Sequence, residues 1–166
     1  MKEVNIGIIG LGTVGSAVTQ VLSKNRNLIA RNHGVIINVK KVCDLRPVKT
    51  PFSFTKDPYE IINDPEISIL VEAIGGVNPA KKYVLTAIAK NKSIVTPNKE
   101  LIALHLDEIL SAAEKKKVVV LFEGAVGGGI PILSAIKDHL VANRISEVYG
   151  IVNGTTNYIL SKMTQE

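Results

Sequence analysis

Residues Val4–Gly15 read VNIGIIGLGTVG, an apolar run over Val4–Ile9 delivered directly into Gly10-Leu11-Gly12-Thr13-Val14-Gly15. Beyond the glycines, Val14, Ala17, Val18, Val21 and Leu22 recur at three- and four-residue steps, the spacing of one helical face. Strand, G-x-G-x-x-G and helix in immediate succession are the setting in which this motif holds a dinucleotide. Each glycine has its own physical reason. Gly10 turns the chain sharply out of the strand, Gly12 leaves bare backbone for a pyrophosphate, and Gly15 lets helix and strand pack closely. The free N–H groups and positive dipole end at Thr13–Gly15 then face the anion.

Outward from this motif, strands and helices alternate. Lys24–Gly34 is polar and reads as a helix tail and loop, and Val35–Cys43 reads as the second strand, ending at Asp44-Leu45-Arg46-Pro47. An acidic side chain at that strand end is where ribose hydroxyls are met. Asp44 stands farther from the glycines than the usual spacing of about 20 residues, and the loop through Asn32-His33-Gly34 accounts for the excess. Arg46 suits either a cofactor 2′-phosphate, favouring NADP, or a solvated turn, and the residues alone support both.

Asp57-Pro58 caps a short helix to Asn63, and Ser68–Ile74 is the third strand, running into Gly75-Gly76. Bare glycine backbone at that strand end passes close to a cofactor in a doubly wound sheet. Asn78 reads as an N-cap with Pro79 at the first helical position, opening a helix to about Asn91. Ser93–Thr96 is a fourth strand. Asn98 then caps a helix carrying Leu101, Ile102, Leu104, Leu106, Ile109 and Leu110. Val118–Phe122 is the fifth strand, and Glu123–Pro131 a glycine loop entering a helix at Pro131. This order predicts an α/β fold: a doubly wound, parallel Rossmann-type sheet with helices on both faces, over residues 1–145. Ser146–Asn153 reads as a further strand and Asn153–Asn157 opens an apolar helix that reaches Glu166 without a C-cap. Residues 146–166 are therefore expected to begin a second domain.

Composition narrows the function classes. The chain has 166 residues, 46% hydrophobic but only 4% aromatic, with no Trp, which argues against an aromatic platform for nucleic acid. Its net charge of +5 is modest, and the densest cluster, Lys115-Lys116-Lys117, suits a helix C-terminus. The single cysteine, Cys43, excludes an internal disulfide, suits a reducing compartment and reads as a small core residue. There is no signal-peptide pattern and no apolar run of membrane-spanning length, so a cytoplasmic location is expected.

Two residues carry candidate chemistry. Lys99 stands at a helix start just past a strand end, where a lysine polarises a substrate oxygen or shuttles its proton; an exposed surface lysine fits the same spacing. Glu123, among glycines, suits a hard-cation ligand joined by loop carbonyls, and equally a structural hydrogen-bond acceptor.

Taken together, GLGTVG (10–15), GGVNPA (75–80), TPNKELIA (96–103), FEGAVGGGIPIL (122–133) and GIVNGTTNYIL (150–160) resemble the homoserine dehydrogenase family in order and spacing, over essentially the whole chain. The resemblance implies interconversion of L-homoserine and L-aspartate 4-semialdehyde with NAD or NADP, on the route to threonine and methionine. It implies that Gly10, Leu11, Gly12, Thr13, Val14 and Gly15 cradle the pyrophosphate. Asp44 and Arg46 would lie by the adenosine ribose, and Gly75 and Gly76 near the cofactor. Lys99 would be one of two active-site lysines and would also touch the cofactor. Glu123, with the carbonyls of Val126, Gly128 and Ile130, matches a monovalent cation site, usually sodium. Asn153, Gly154, Thr155 and Thr156 match the segment that meets the substrate between the two domains. Residues 146–166 would then begin the substrate and dimerisation domain of a homodimer. The second lysine and the acidic residues that grip homoserine are not in these residues, so the chain alone is expected to turn over little or nothing. Pro97 departs from the family, which usually has Ala there.

Two other readings compete. An acylating semialdehyde-type dehydrogenase would need a thiolate near the nicotinamide, and Cys43 lies on the adenosine side. A non-catalytic dinucleotide sensor would use the same fold without needing Lys99.

Overall fold

The computed structural model describes residues 1–150 and 154–165. Six strands form one sheet: β1 (Lys2–Ile9), β2 (Val35–Cys43), β3 (Ser53–Thr55), β4 (Ile69–Glu72), β5 (Ser93–Val95) and β6 (Val120–Leu121). All pairings are parallel and the spatial order is β3-β2-β1-β4-β5-β6. The helices are α1 (Thr13–Lys24), α2 (Arg26–His33), α3 (Tyr59–Ile62), α4 (Ala80–Ala89), α5 (Lys99–Lys116), α6 (Ile132–Ser134) and α7 (Gly154–Gln165). The expected doubly wound sheet is therefore present.

Alternation along the central strand explains why both faces are covered. Ile6 and Ile8 point into a cluster with Val42 and Val71, onto which Val18 and Leu22 of α1 pack. Ile9 joins the opposite cluster, with Ile61 and Ile62 of α3, Val84 and Ile88 of α4, and Leu101 and Ile109 of α5. Strands buried on both sides read as near-continuous apolar runs, as Val4–Ile9 does.

The register decides where a site can form. Ile9 pairs with Cys43 on one side and Glu72 on the other, so the next residues, Gly10, Asp44 and Ala73, leave the sheet side by side. The strand order reverses between β1 and β4, and ligands of open α/β sheets sit at that reversal, beyond the carboxyl ends. At the opposite end, Lys92 is buried and its ammonium donates to the carbonyls of Asp64 (2.6 Å) and Ile67 (2.5 Å), tying β4 and β5 together. Burial lowers the pKa of this lysine.

Several expectations are corrected. Lys24–Gly34 is not a loop but mostly α2, closed by Gly34 in the left-handed region (φ +67°), whose N–H donates to the Ala30 carbonyl. Basic residues in a last turn followed by glycine are the helix-stop signal that the polar composition hid. The strand Ser53–Thr55 lies in a stretch to which the sequence assigns no element; at three residues it is too short to show a period. On α1 the buried positions are Gly15 and Thr19, while Val14 and Val21 are about half exposed, so the buried stripe is rotated from the expected one. Helix α4 begins at Ala80, one residue late, because Pro79 is the cap, and the Asn78–Pro79 peptide is cis. Asn98 caps α5 as expected, its Oδ1 accepting from the Leu101 N–H at 3.1 Å, but the helix kinks at His105 and leaves Leu104 exposed. The helix expected at Pro131 is one α-helical turn followed by a π-helical turn, Ala135–His139. No strand forms over residues 146–150, and nothing in the sheet pairs with them, which a strand requires. Among the described residues no helix is long and apolar enough to cross a membrane.

Candidate functional site

The glycine turn is built as its spacing demands. Gly10 has φ +96°, and a Cβ there would stand 2.6 Å from the Ala73 carbonyl, so β1 and β4 leave the sheet in direct backbone contact. At Gly15 a Cβ would stand 1.8 Å from the Gly10 oxygen, which makes glycine obligatory where α1 crosses the turn. Around Gly12 nothing lies within 4 Å of a built Cβ, leaving an open cradle above the backbone. Helix α1 has no side-chain cap and no acidic residue in its first turn, so its amino end is left to an anion.

Two hollows flank this turn and share Ala73, Ile74 and Gly75. The larger, about 790 Å³, runs from Thr13 and Val14 past Gly75 and Gly76 to Pro97–Glu100 and the loop Gly124–Gly128. The smaller, about 460 Å³, lies over Gly10, Gly12 and Cys43–Arg46, with Pro58, Asn78 and Tyr83 as its far wall. Together the two hollows give room for an elongated two-part ligand on either side of the glycine turn.

Asp44 is tied into this arrangement. Its Oδ2 accepts the Leu11 N–H at 2.8 Å, and its Oδ1 accepts the Arg46 N–H at 2.9 Å and the Arg46 Nε at 3.3 Å. Burial pushes its carboxyl upward, but the Arg46 side chain and the two backbone donors outweigh it, and the pKa ends below the usual carboxylate range. The Arg46 side chain is 74% exposed and lines the smaller hollow. Cys43, under the smaller hollow, is buried, and burial, then Asp44, Asp57 and Glu60, push its thiol up to about 11. A buried thiol raised in this way is a poor nucleophile at neutral pH, which counts against the acylating alternative.

Across the larger hollow, Lys99 is exposed at the first position of α5, between Gly75–Gly76 and the glycine loop. Among the described residues it has no ion pair. Glu123 opens a short 3₁₀ turn, Glu123–Ala125, and both its oxygens accept backbone N–H groups at the start of α6, from Leu133 at 2.9 Å and Ser134 at 3.0 Å. Its structural role is thus present. No cluster of three or more acidic, His or Cys side chains suited to a metal occurs among the described residues. Of the expected substrate segment, Asn153 lies outside the described residues, while Gly154, Thr155 and Thr156 open α7.

Sequence reasoning missed Glu72, Thr96 and the wall residues Pro58, Asn78 and Tyr83. Glu72 carried a signal: it is the one charge in the apolar run Ile69-Leu70-Val71-Glu72-Ala73-Ile74.

Comparison with known proteins agrees with this geometry. Residues 10–123 match the model for the NAD-binding domain of homoserine dehydrogenase, and residues 131–166 match the homoserine dehydrogenase model. The homoserine dehydrogenases of Neisseria gonorrhoeae and Pseudomonas aeruginosa are each 46% identical over the whole chain, which spans 39% of either relative's length. A crystal structure of a homoserine dehydrogenase from Thiobacillus denitrificans superposes over the whole chain with a TM-score of 0.94 at 44% identity, and the chain covers 40% of it. A hyperthermophilic archaeal homoserine dehydrogenase, solved in complex with NADPH, matches 81% of the chain with a TM-score of 0.69 at 25% identity, and 48% of that chain is covered. With the glycine turn, the two hollows and both family models laid along one sequence, the chain belongs to the homoserine dehydrogenase family.

Proposed function

We propose that the intact protein interconverts L-homoserine and L-aspartate 4-semialdehyde with a nicotinamide dinucleotide, on the route to threonine and methionine. The observation that carries this reading is the 790 Å³ hollow with Lys99 at its edge, which shares the wall Ala73–Gly75 with the hollow over Asp44. Residues 1–145 supply the dinucleotide domain and residues 146–166 begin the substrate and dimerisation domain of a cytoplasmic homodimer. The bound nicotinamide supplies hydride chemistry. Gly10–Gly15 hold the pyrophosphate on the α1 dipole, the bare backbone of Gly75 and Gly76 lets the nicotinamide half approach, and Lys99 holds the substrate oxygen and passes its proton. Asn153, Gly154, Thr155 and Thr156 meet the substrate. One carboxylate, Glu123, with the carbonyls of Val126, Gly128 and Ile130, is a hard, weakly charged oxygen set that suits sodium. Each Glu123 oxygen retains a second lone pair beyond its N–H partner.

NADP is favoured over NAD. The Asp44 carboxylate is engaged by Leu11 and Arg46, and the exposed guanidinium beside it matches a 2′-phosphate. Arg46→Ala is expected to weaken NADPH about tenfold and leave NADH unchanged, by calorimetric titration. Equal weakening of both cofactors would remove the 2′-phosphate role.

The activity test is direct: purified intact protein is mixed with L-homoserine and NADP⁺ or NAD⁺, and reduced cofactor is followed by absorbance. Homoserine-dependent reduction is expected, and none with either cofactor would overturn the assignment. The 166 residues alone are expected to bind dinucleotide with little or no turnover.

A further inference from the structure

Three polar side chains buried beneath the larger hollow have no part in the function as stated. Glu72 is fully buried, Thr96 is 1% exposed and Asn98 6%. Among the described residues no cation pairs with Glu72. Burying a carboxylate without a cation is costly unless hydrogen bonds replace its hydration. Here they do. Oε1 accepts the N–H groups of Ile74 at 2.9 Å and Gly75 at 3.3 Å, and Oε2 accepts the Thr96 hydroxyl at 2.5 Å.

The chain of bonds then closes on itself. The Thr96 oxygen accepts the Asn98 N–H at 3.0 Å, and Asn98 Nδ2 donates to the Gly76 carbonyl at 2.6 Å. Gly76 follows Gly75, which is bonded to Glu72. Asn98 Oδ1 separately caps α5. The ring therefore joins the carboxyl ends of β4 and β5, and its members flank both walls of the hollow. Gly75 and Gly76 both have positive φ, +75° and +67°, so this turn is held by specific bonds in a conformation that glycine alone adopts readily.

We propose that Glu72, Thr96 and Asn98 form a positioning ring that locks the Gly75–Gly76 turn to the first turn of α5 and so sets where Lys99 stands over the hollow. None of the three needs to touch substrate. The ring acts through the distance between the cofactor-facing backbone and the lysine, to which hydride transfer is sensitive. The effect on turnover rests on the function proposed above; the mechanical part does not.

The test uses the intact protein and four variants. Thr96→Val removes the hydroxyl at nearly constant volume, and Thr96→Ser restores it. Asn98→Asp keeps an oxygen to cap Leu101 but loses the donor to Gly76, so it breaks the ring in a helix that still starts correctly. Lys92→Met removes a buried tether at the opposite end of the same strands, controlling for instability. Thr96→Val and Asn98→Asp are expected to lower kcat about tenfold to a hundredfold, with NADPH affinity held within about threefold. Thr96→Ser and Lys92→Met should stay within about twofold of the parent kcat. Amide exchange at Ile74 and Gly75 should accelerate about tenfold in Thr96→Val but not in Lys92→Met. Unchanged exchange at those amides would overturn the ring, as would a loss of kcat no larger than that of Lys92→Met. Should Thr96→Val not fold, Asn98→Asp decides through the same two readouts. A parent protein that binds NADPH and ignores homoserine would count against the proposed function, and exchange alone would then decide the ring.

Discussion

Gly15→Ala is expected to lose most of the domain's stability, with a fall of about 10 °C or more in the thermal midpoint and loss of NADPH binding. The added Cβ would stand 1.8 Å from the Gly10 oxygen and 2.9 Å from its carbonyl carbon, both backbone atoms. No rotamer relieves that contact, so α1 must lift off the turn. Overpacking of this kind costs about 3 kcal/mol or more, a large part of the roughly 5–15 kcal/mol that hold a domain together. Gly12→Ala separates stability from binding at a neighbouring site. Nothing lies within 4 Å of its Cβ, and Gly12 has an ordinary extended conformation, φ −70° and ψ −161°. The midpoint should barely move while NADPH weakens at least about tenfold, because the methyl occupies the pyrophosphate's approach. Thermal unfolding and calorimetry on both variants check this. A Gly15→Ala protein as stable as its parent would refute the close packing.

Lys99→Ala in the intact protein is expected to cut kcat about 10²- to 10⁴-fold, the usual range for a group that handles a proton in the transition state. Its affinity for NADPH should change little, since the pyrophosphate cradle lies at Gly10–Gly15. The fold should not suffer: Lys99 is exposed, without an ion pair among the described residues, and Asn98 caps α5 independently of it. Steady-state kinetics beside a cofactor titration separate the outcomes. A variant that binds NADPH normally and turns over at the parent rate would remove Lys99 from the chemistry.

Much of this site was legible because its constraints are local. A glycine turn between an apolar strand and a helix is set by contacts within a few residues, and Asn98 announces a helix start by its own side chain. The Asp44 position followed from strand order. What stayed hidden depends on partners distant in sequence. Glu72 is a carboxylate in a strand until Thr96, 24 residues on, supplies its hydroxyl. The wall formed by Pro58, Asn78 and Tyr83 gathers three separate segments, and no spacing rule connects them. Helix α2 was hidden for another reason: only Ala30 of its residues is buried, so it carries almost no apolar period. Its evidence lay in the basic last turn, Arg31 and His33, and the terminal Gly34.

The central place of β1 has a consequence for how the protein is made. This strand leaves the ribosome before its partners, yet it needs β2 on one edge and β4 on the other, and β4 follows it by some sixty residues. The Ser68 N–H reaches back to the Asn5 carbonyl at 3.0 Å, and the Ala73 N–H to that of Ile9 at 2.8 Å. Until residue 73 has emerged, a strongly apolar strand waits with one edge unpaired, the kind of surface that invites association with other nascent chains. The glycine turn at the base of the cofactor crevice, between Gly10 and Ala73, closes at the same moment as that edge. Vectorial synthesis thus makes β4 the step that both protects the growing chain and begins its binding site.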